Sequence, residues 1–232
     1  MRLRNVKGAS TIIENCPFII KDYKEYKGKY KTIFNNDNPI HIEIGMGKGD
    51  FIIGMAKKYP EINFIGIEKF DSVIVRAIEK LDEEIPNLRL IRMDATEIEE
   101  VFDKEVDTIY LNFSDQWPKN RHSDRRLTSL KFLKRYDSLF KNEKTIIMKT
   151  DNRKLFEFSL IEFCNYGYKF EEISLDLYND DIKDNVQTEY ERKFHNLGFP
   201  IYKIIVKKWC TVYLQFIYIK IINSSKFINY LL

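Results

Sequence analysis

Apolar residues recur along the chain with two alternating periods, which predict a repeated order of strands and helices. Short runs that alternate apolar and polar residues are typical of strands, and apolar residues spaced three or four positions apart are typical of helices. The predicted strands are residues 39–44, 62–67, 88–93, 107–113, 145–149, 170–177 and 201–207. The predicted helices are residues 51–59, 71–81, 127–140 and 155–166.

This order of elements predicts the fold class. Strands that alternate with helices form a mostly parallel sheet, because each helix carries the chain back to the start of the next strand. We therefore predict an α/β, Rossmann-like, doubly wound sheet of seven strands with helices on both faces. In such sheets ligands bind beyond the carboxyl ends of the strands, so the residues that follow each strand are the candidates for function.

Composition divides the chain into three parts. Residues 1–38 are polar and basic, which predicts a solvated N-terminal arm. Residues 39–208 contain the predicted sheet. Residues 209–232 begin with an apolar, aromatic run, for which we expect an extra edge element or a loose tail. Because that run is short and Lys220 interrupts it, we expect no membrane partner.

The overall composition indicates a folded single-domain protein and gives no sign of a disulfide-rich or metal-binding one. Of the 232 residues, 44% are hydrophobic and 31% are charged, which is enough for one folded α/β domain with a core. The net charge of +3 does not by itself indicate a nucleic-acid partner. Cys16, Cys164 and Cys210 lie far apart, so we expect neither disulfides nor a metal site. With no apolar leader near the start, a cytoplasmic location is predicted.

A glycine-rich loop follows the first predicted strand. Gly45, Gly47 and Gly49 come directly after Glu43 and before a predicted helix. Glycines let the backbone turn tightly and approach a ligand closely. The loop alone is a weak signal, because NAD, FAD, nucleotide and S-adenosyl-L-methionine (SAM) folds all use similar loops, and a plain strand-to-helix turn is the alternative.

Single acids follow the next three strands. Glu68 can accept both hydroxyls of a ribose, which would serve NAD or SAM equally. Asp94 can accept from the exocyclic amino group of adenine. After Glu43 and Glu68 it is the third acid at a strand end, and an acid at the end of the third strand suits SAM better than NAD. Asp115 lies beside Trp117 in a polar and aromatic loop, as is typical of functional loops. We expect Asp115 to face a transferable methyl group and the incoming base.

A basic segment follows Trp117. Its candidate contacts are Lys119, Arg121, His122, Arg125 and Arg126. Cations beside a stacking aromatic are typical of RNA phosphate contacts, although a solvated helix face is the alternative. Further along, single polar residues such as Asp151 are more often helix caps and turn formers.

In combination these segments resemble the bacterial tRNA (guanine-N7)-methyltransferases, a family of class I methyltransferases. The resemblance covers roughly residues 2–207, and its matching segments are 43–49, 66–69, 112–119, 121–128, 149–158 and 188–198. It implies the class I methyltransferase fold for residues 39–208. It also implies SAM as cofactor, with S-adenosyl-L-homocysteine as product, and tRNA as substrate, methylated at N7 of variable-loop guanine 46.

The resemblance implies roles for individual residues. The implied cofactor contacts are Glu43, Gly45, Gly47, Gly49, Glu68, Asp94 and Asp115, with Asp115 also the candidate catalytic residue. The implied tRNA contacts are Lys119, Arg121, His122, Arg125, Arg126, Asp151, Thr188, Glu189, Tyr190 and Glu191. Two features depart from the family: Gln116 stands where it usually has proline, which predicts a less rigid loop, and residues 209–232 are unlike it.

Other functions remain open at this point. An NAD-dependent dehydrogenase fits the glycine loop and Glu68, but nothing resembles a hydride-transfer site. The main alternative is a nonenzymatic RNA-binding protein on a degenerate methyltransferase fold, although all four strand-end acids are present. Ribosomal RNA or a small molecule could be the methyl acceptor, and the basic segment argues against the small molecule. We expect no DNA partner, and either a monomer or a homodimer.

Overall fold

A seven-stranded sheet forms the centre of the molecule. The computed structural model describes residues 6–81, 84–180 and 185–209. The strands are β1 (Ile40–Ile44), β2 (Asn63–Glu68), β3 (Leu88–Arg92), β4 (Val106–Asn112), β5 (Phe140–Thr150), β6 (Lys169–Ser174) and β7 (Tyr202–Lys208). Among the described residues their order is β3-β2-β1-β4-β5-β7-β6, and β7 alone runs in the direction opposite to the other six strands. The predicted mostly parallel sheet of seven strands is confirmed.

Helices cover both faces of this sheet. They are α1 (Ala9–Asn15), α2 (Lys31–Phe34), α3 (Asp50–Lys58), α4 (Asp71–Ile78), α5 (Leu130–Tyr136), α6 (Arg153–Asn165) and α7 (Glu189–Asn196). The described part of the chain also contains the short 3-10 helices Tyr23–Tyr26, Ala95–Glu100 and Asn120–Arg125. The core is divided accordingly into two hydrophobic clusters, one on each face, because successive strand residues point to opposite sides.

Strand β2 shows how the alternation builds both clusters. Ile65 and Ile67 point to the face that α5 and α6 cover, whereas Phe64 points to the face that α3 and α4 cover. Gly66 lies between them on the second face, where an added Cβ would come within 2.3 Å of the Met46 sulfur. Both faces of the strand are therefore fully packed, as expected for a parallel sheet between two helical layers.

Several predicted elements have different bounds in the structure. Helix α5 ends at Tyr136 and β5 already begins at Phe140, although the periodicity predicts a helix through residue 140. Phe140 pairs with Val106 of β4, so tertiary strand pairing overrides the helical pattern there. Strand β6 ends at Ser174 and not at residue 177. Helix α7 was not among the predicted helices.

The N-terminal segment is not the wholly solvated arm that its composition predicts. Tyr30 is fully buried, and its ring lies 4.7 Å from that of Phe102. The Glu105 carboxylate accepts from the backbone N–H groups of Gly28 and Tyr30. The backbone of residues 18–20 also bonds to Leu90 at the edge of β3. Apolar residues between the many lysines thus tie this segment to the domain.

The domain boundaries at residues 38 and 208 stay predictions. The extension at 209–232 lies, apart from Trp209, outside the described residues. Among the helices in the described ranges, none has the length and apolar character that crossing a bilayer requires.

Candidate active site

The glycine loop lies where the strand order reverses. Strand β1 pairs with β2 on one side and with β4 on the other, which leaves a crevice beyond their carboxyl ends. Gly45, Gly47 and Gly49 all have positive φ angles, of 77°, 58° and 78°. Side chains other than glycine rarely adopt this conformation, so the backbone turn at the crevice depends on these three residues.

The Glu68 carboxylate ties this loop to the start of α4. Its Oε2 accepts from the Gly47 N–H at 3.1 Å, and its Oε1 accepts from the N–H groups of Lys69 and Phe70, each at 2.9 Å. Burial raises the pKa of Glu68. A carboxylate oxygen can accept two hydrogen bonds, so Oε2 retains capacity for a ligand hydroxyl.

Asp94 lies at the end of β3 and starts the following 3-10 helix. Its Oδ1 accepts from the Thr96 N–H and hydroxyl, both at 2.9 Å, and its Oδ2 accepts from the Lys69 ammonium at 2.5 Å. Burial alone would raise the pKa of Asp94, but the hydrogen bonds from Lys69 and Thr96 lower it. The carboxylate is therefore ionised and held in one orientation.

These residues line one large cavity, here called the main pocket, of about 710 Å³. Its polar wall includes Gly45, Glu68, Asp94 and Asp115, and its apolar wall includes Phe70, Val73 and Met93. Phe70 is 57% exposed, so its ring is accessible to a ligand in the pocket. The chemistry of the pocket suits a ligand with an aromatic ring and several hydroxyl or amino groups.

A second cavity of about 440 Å³, here called the adjoining pocket, lies beside the first. The two cavities share a wall made of Phe113, Ser114, Asp115 and Trp117. The other side of the adjoining pocket is formed mainly by Asp151 and Tyr190. It therefore offers three aromatic rings and two carboxylates, a set that suits a flat base with N–H donors.

Comparison with known proteins identifies the family. A protein-family model described as "Putative methyltransferase" matches residues 37–204. The tRNA (guanine-N(7)-)-methyltransferase of Bacillus velezensis is 52% identical to the chain, over 91% of the chain and 98% of the relative. The protein of the same name from Bacillus subtilis is 50% identical, over 91% of the chain and all of the relative.

The chain belongs to the tRNA (guanine-N(7)-)-methyltransferase family. It is a methyltransferase, so the dehydrogenase and the nonenzymatic RNA-binding alternatives are excluded.

Solved structures confirm the class I methyltransferase fold. An antibiotic-related methyltransferase superposes with a TM-score of 0.62 at 15% identity, over 78% of this chain and 93% of that one. The 16S rRNA methyltransferase KamB superposes with a TM-score of 0.58 at 11% identity, over 79% and 94% of the two chains. At such identities the likeness concerns the fold alone.

Within this methyltransferase, Glu43 is buried behind the main pocket and does not line it. Its Oε1 accepts from the Asn112 amide at 2.8 Å, whereas Oε2 is buried and has no hydrogen-bond partner among the described residues. Burial raises the pKa of Glu43 to about 8. A role for Glu43 as a direct cofactor contact stays a prediction.

Helix α7 bridges the glycine loop and the adjoining pocket. Glu189 forms an exposed ion pair with Lys48 at 2.8 Å, and the Tyr190 hydroxyl lies 3.3 Å from the Asp151 carboxylate. Thr188 and Glu191 form a reciprocal capping box at the start of the helix. The Thr188 side chain therefore caps the helix by accepting a hydrogen bond from the Glu191 N–H, and its predicted role as a tRNA contact stays a prediction.

Glu191 is fully buried, which corrects its predicted role as a tRNA contact. Its carboxylate accepts from the Lys149 ammonium at 2.6 Å, from the Tyr178 hydroxyl at 3.0 Å and from the Asn185 amide at 2.6 Å. The Lys149 side chain is only 4% exposed, and burial lowers its pKa while Glu191 opposes that shift. This pair anchors α7 to the end of β5.

The basic segment forms the 3-10 helix Asn120–Arg125 beside Trp117. Lys119, Arg121 and Arg125 are exposed, and the Arg125 guanidinium lies 4.9 Å above the Trp117 ring. His122 is half-buried and meets the edge of the same ring. Arg126 is the exception, because it is buried against the loop and cannot reach a phosphate in this structure.

Lys149 and Phe113 belong to the site but were not among the predicted site residues. Lys149 forms the buried ion pair with Glu191, and the signal for it in the sequence is a lysine at the end of an apolar strand. Phe113 lines both pockets and lies 5.2 Å from the Tyr190 ring.

The raised pKa of Glu43 predicts a pH-dependent stability. Between about 4.5 and about 8 the unfolded chain has released the proton that the folded chain keeps, so stability falls as the pH rises. Glu43→Gln should remove this part of the slope, up to about 1.4 kcal/mol per pH unit. Urea unfolding of both proteins at several pH values measures the difference. Equal slopes would show that Glu43 ionises normally.

The buried ion pair predicts unequal roles for two glutamates of α7. Glu191→Gln keeps the capping box but leaves Lys149 buried without its counter-charge, which should cost about 3 kcal/mol of unfolding free energy. The matched control Glu189→Gln should cost less than about 1 kcal/mol, since its pair is exposed. Denaturant unfolding distinguishes them. Similar losses for both single variants would contradict this account.

Proposed function

We propose that the enzyme transfers a methyl group from SAM to N7 of a guanine in tRNA, and that this guanine is number 46 of the variable loop. The observation that carries the proposal is the adjoining pocket, whose aromatic rings and carboxylates lie next to the main pocket and share with it the wall that contains Asp115. The names of the relatives, at about half identity over nearly the whole chain, support the same reaction. Guanine 46 itself rests on the family resemblance.

The residues of the main pocket fit SAM. Glu68 has acceptor capacity left for ribose hydroxyls, and the exposed Phe70 ring together with Val73 and Met93 offers an apolar surface for adenine. Asp94 stands at the same end of the pocket, where it can accept from the adenine amino group. SAM supplies an electrophilic methyl group on a sulfonium. Asp115 would lie nearest to the acceptor, on the wall that both pockets share.

The adjoining pocket suits guanine better than adenine. The rings of Phe113, Trp117 and Tyr190 can stack on a base that has left its helical neighbours. Guanine presents two neighbouring N–H groups on its Watson–Crick edge, and the Asp151 carboxylate, on the side of the adjoining pocket away from the shared wall, is an acceptor for such donors. Adenine has an acceptor at the first of these positions, which a carboxylate would repel. This selectivity would leave the opposite edge, with N7, available for reaction.

The chemistry requires positioning more than proton transfer. Guanine N7 already carries a free lone pair, so no base has to remove a proton. The stacking rings and the two carboxylates would hold the base at reacting distance, which can supply much of the acceleration. As N7 forms its new bond, the base becomes cationic. The Asp115 carboxylate would stabilise that charge from a fixed position.

Exposed cations beside the pocket would bind the tRNA backbone. Lys119, Arg121 and Arg125 are exposed on the side of Trp117, and Lys131 and Lys134 of α5 extend the same basic surface. Such contacts fix the orientation of the RNA without reading its sequence. A cytoplasmic location follows from the proposed substrate.

A direct test is methyl transfer from labelled SAM to an unmodified tRNA transcript, followed by borohydride and aniline treatment. This treatment cleaves RNA at N7-methylguanosine, so we expect label and one cleavage in the variable loop. A matched transcript with adenine at position 46 should take no label. Label without cleavage would move the methylated atom, and no label on any tRNA with SAM still bound would refute the proposed substrate.

The role of Asp115 predicts a selective loss of turnover. Asp115→Asn removes the negative charge beside the reacting base and should lower kcat by roughly 100-fold or more. Binding of S-adenosyl-L-homocysteine, measured by calorimetry, should change little. The control Asp37→Asn alters a 91% exposed acid before β1, at the opposite end of the strands, and should leave kcat unchanged. Unchanged turnover in Asp115→Asn would refute this role.

A further inference from the structure

The loop that carries Asp115 has a strained backbone at both ends. Phe113 and Trp117 have φ angles of 50° and 40°, in the left-handed region that bulky residues rarely adopt. Such residues persist only where surrounding contacts hold them. The shared wall of the two pockets therefore needs an external support, which the loop itself does not contain.

Arg126 provides that support. Its Nε donates to the Gln116 carbonyl and its Nη2 donates to the Trp117 carbonyl, both at 3.0 Å. The guanidinium lies 4.3 Å above the Phe158 ring of α6, and the whole residue is only 9% exposed. One rigid planar group thus holds two successive carbonyls next to a strained residue, a geometry that lysine cannot reproduce.

A second contact joins the same loop to α6. The Asn152 amide donates to the Gln116 Oε1 at 2.8 Å, while the Asn152 Oδ1 accepts from the Leu155 N–H and caps the helix. Gln116 is therefore held through its carbonyl by Arg126 and through its side chain by Asn152. The proline that the family usually has at position 116 could not form this side-chain contact. Here hydrogen bonds to Gln116 restrain the loop in place of the proline ring.

We propose that Arg126 is a positioning residue for methyl transfer, which fixes the strained loop so that Asp115 and Trp117 face the acceptor base. It is not an RNA phosphate contact, in contrast to its exposed neighbour Arg125. The proposal rests on the proposed function, because it assumes that the adjoining pocket holds the base. Gln116 and Asn152 assist by fixing the same turn to α6.

Steady-state kinetics separate a positioning role from an RNA contact. Arg126→Ala should lower kcat by about 10- to 100-fold, because small misplacements of reacting groups are costly. The KM for tRNA and its salt dependence should stay close to wild type. The matched control Arg121→Ala, on an exposed arginine of the same segment, should instead raise KM and reduce the salt slope by about one unit. Arg126→Lys should recover only part of kcat, since it cannot hold both carbonyls.

A spectroscopic readout needs no substrate. The chain has two tryptophans, so in a Trp209→Phe background the fluorescence reports on Trp117 alone. In that background Arg126→Ala should increase quenching of Trp117 by acrylamide. Gln116→Ala, which leaves the α6 cap intact, should cause a smaller increase in quenching and a smaller loss of kcat. Thermal unfolding identifies any variant that merely fails to fold, and Gln116→Ala then carries the test.

The outcomes distinguish this inference from the proposed function. A wild-type enzyme that methylates tRNA, with Arg126→Ala showing wild-type kcat and quenching, would overturn the positioning role alone. A raised KM and a reduced salt slope in Arg126→Ala would identify a phosphate contact and also overturn it. If wild type shows no transfer to tRNA, the proposed function fails, while the quenching result still tests whether Arg126 fixes the loop.

Discussion

The reversal of strand order between β1 and β4 is the constraint on which the site depends. At this point the connections that follow β1 and β4 lie on opposite faces of the sheet. The backbone beyond β1 is therefore not covered by a helix and turns in the open crevice. Three glycines with positive φ make that turn, and Glu68 receives the loop N–H group that the turn leaves free. Because β1 to β4 are parallel, the ends of β2, β3 and β4 lie at the same edge as this turn, with the acids that follow them.

Two buried charged groups then hold the helix and the loop that complete this edge. The ion pair between Lys149 and Glu191 anchors α7 over the adjoining pocket. The Arg126 guanidinium holds the loop between the two pockets. Both use charged side chains removed from water, which is costly unless each donor and acceptor is satisfied. The hydrogen bonds around Glu191 meet that requirement for its carboxylate, and two carbonyls with the Phe158 ring partly replace water around the Arg126 guanidinium.

Much of this architecture could be predicted from the sequence, because strand periodicity and strand-end residues are local signals. Glu68, Asp94 and Asp115 were found in this way, and all three line the main pocket. The burial of Glu191 could not be predicted, because its partner Lys149 lies 42 residues earlier and a charged residue alone does not reveal a tertiary partner. Arg126 was predicted to contact RNA because the sequence does not reveal that its partners are two loop carbonyls and the Phe158 ring. Helix α7, in contrast, has a readable start in Thr188-x-x-Glu191.

The shared wall has a consequence for the range of groups that the enzyme can transfer. Ser114 and Asp115 border both cavities, so the space available to the migrating group and the space available to the base are set by the same short stretch of backbone. Enlarging that space for a cofactor analogue with a longer alkyl chain would also loosen the seat of the acceptor. A change in this stretch of backbone therefore alters the selectivity for the methyl donor and the selectivity for the base at the same time.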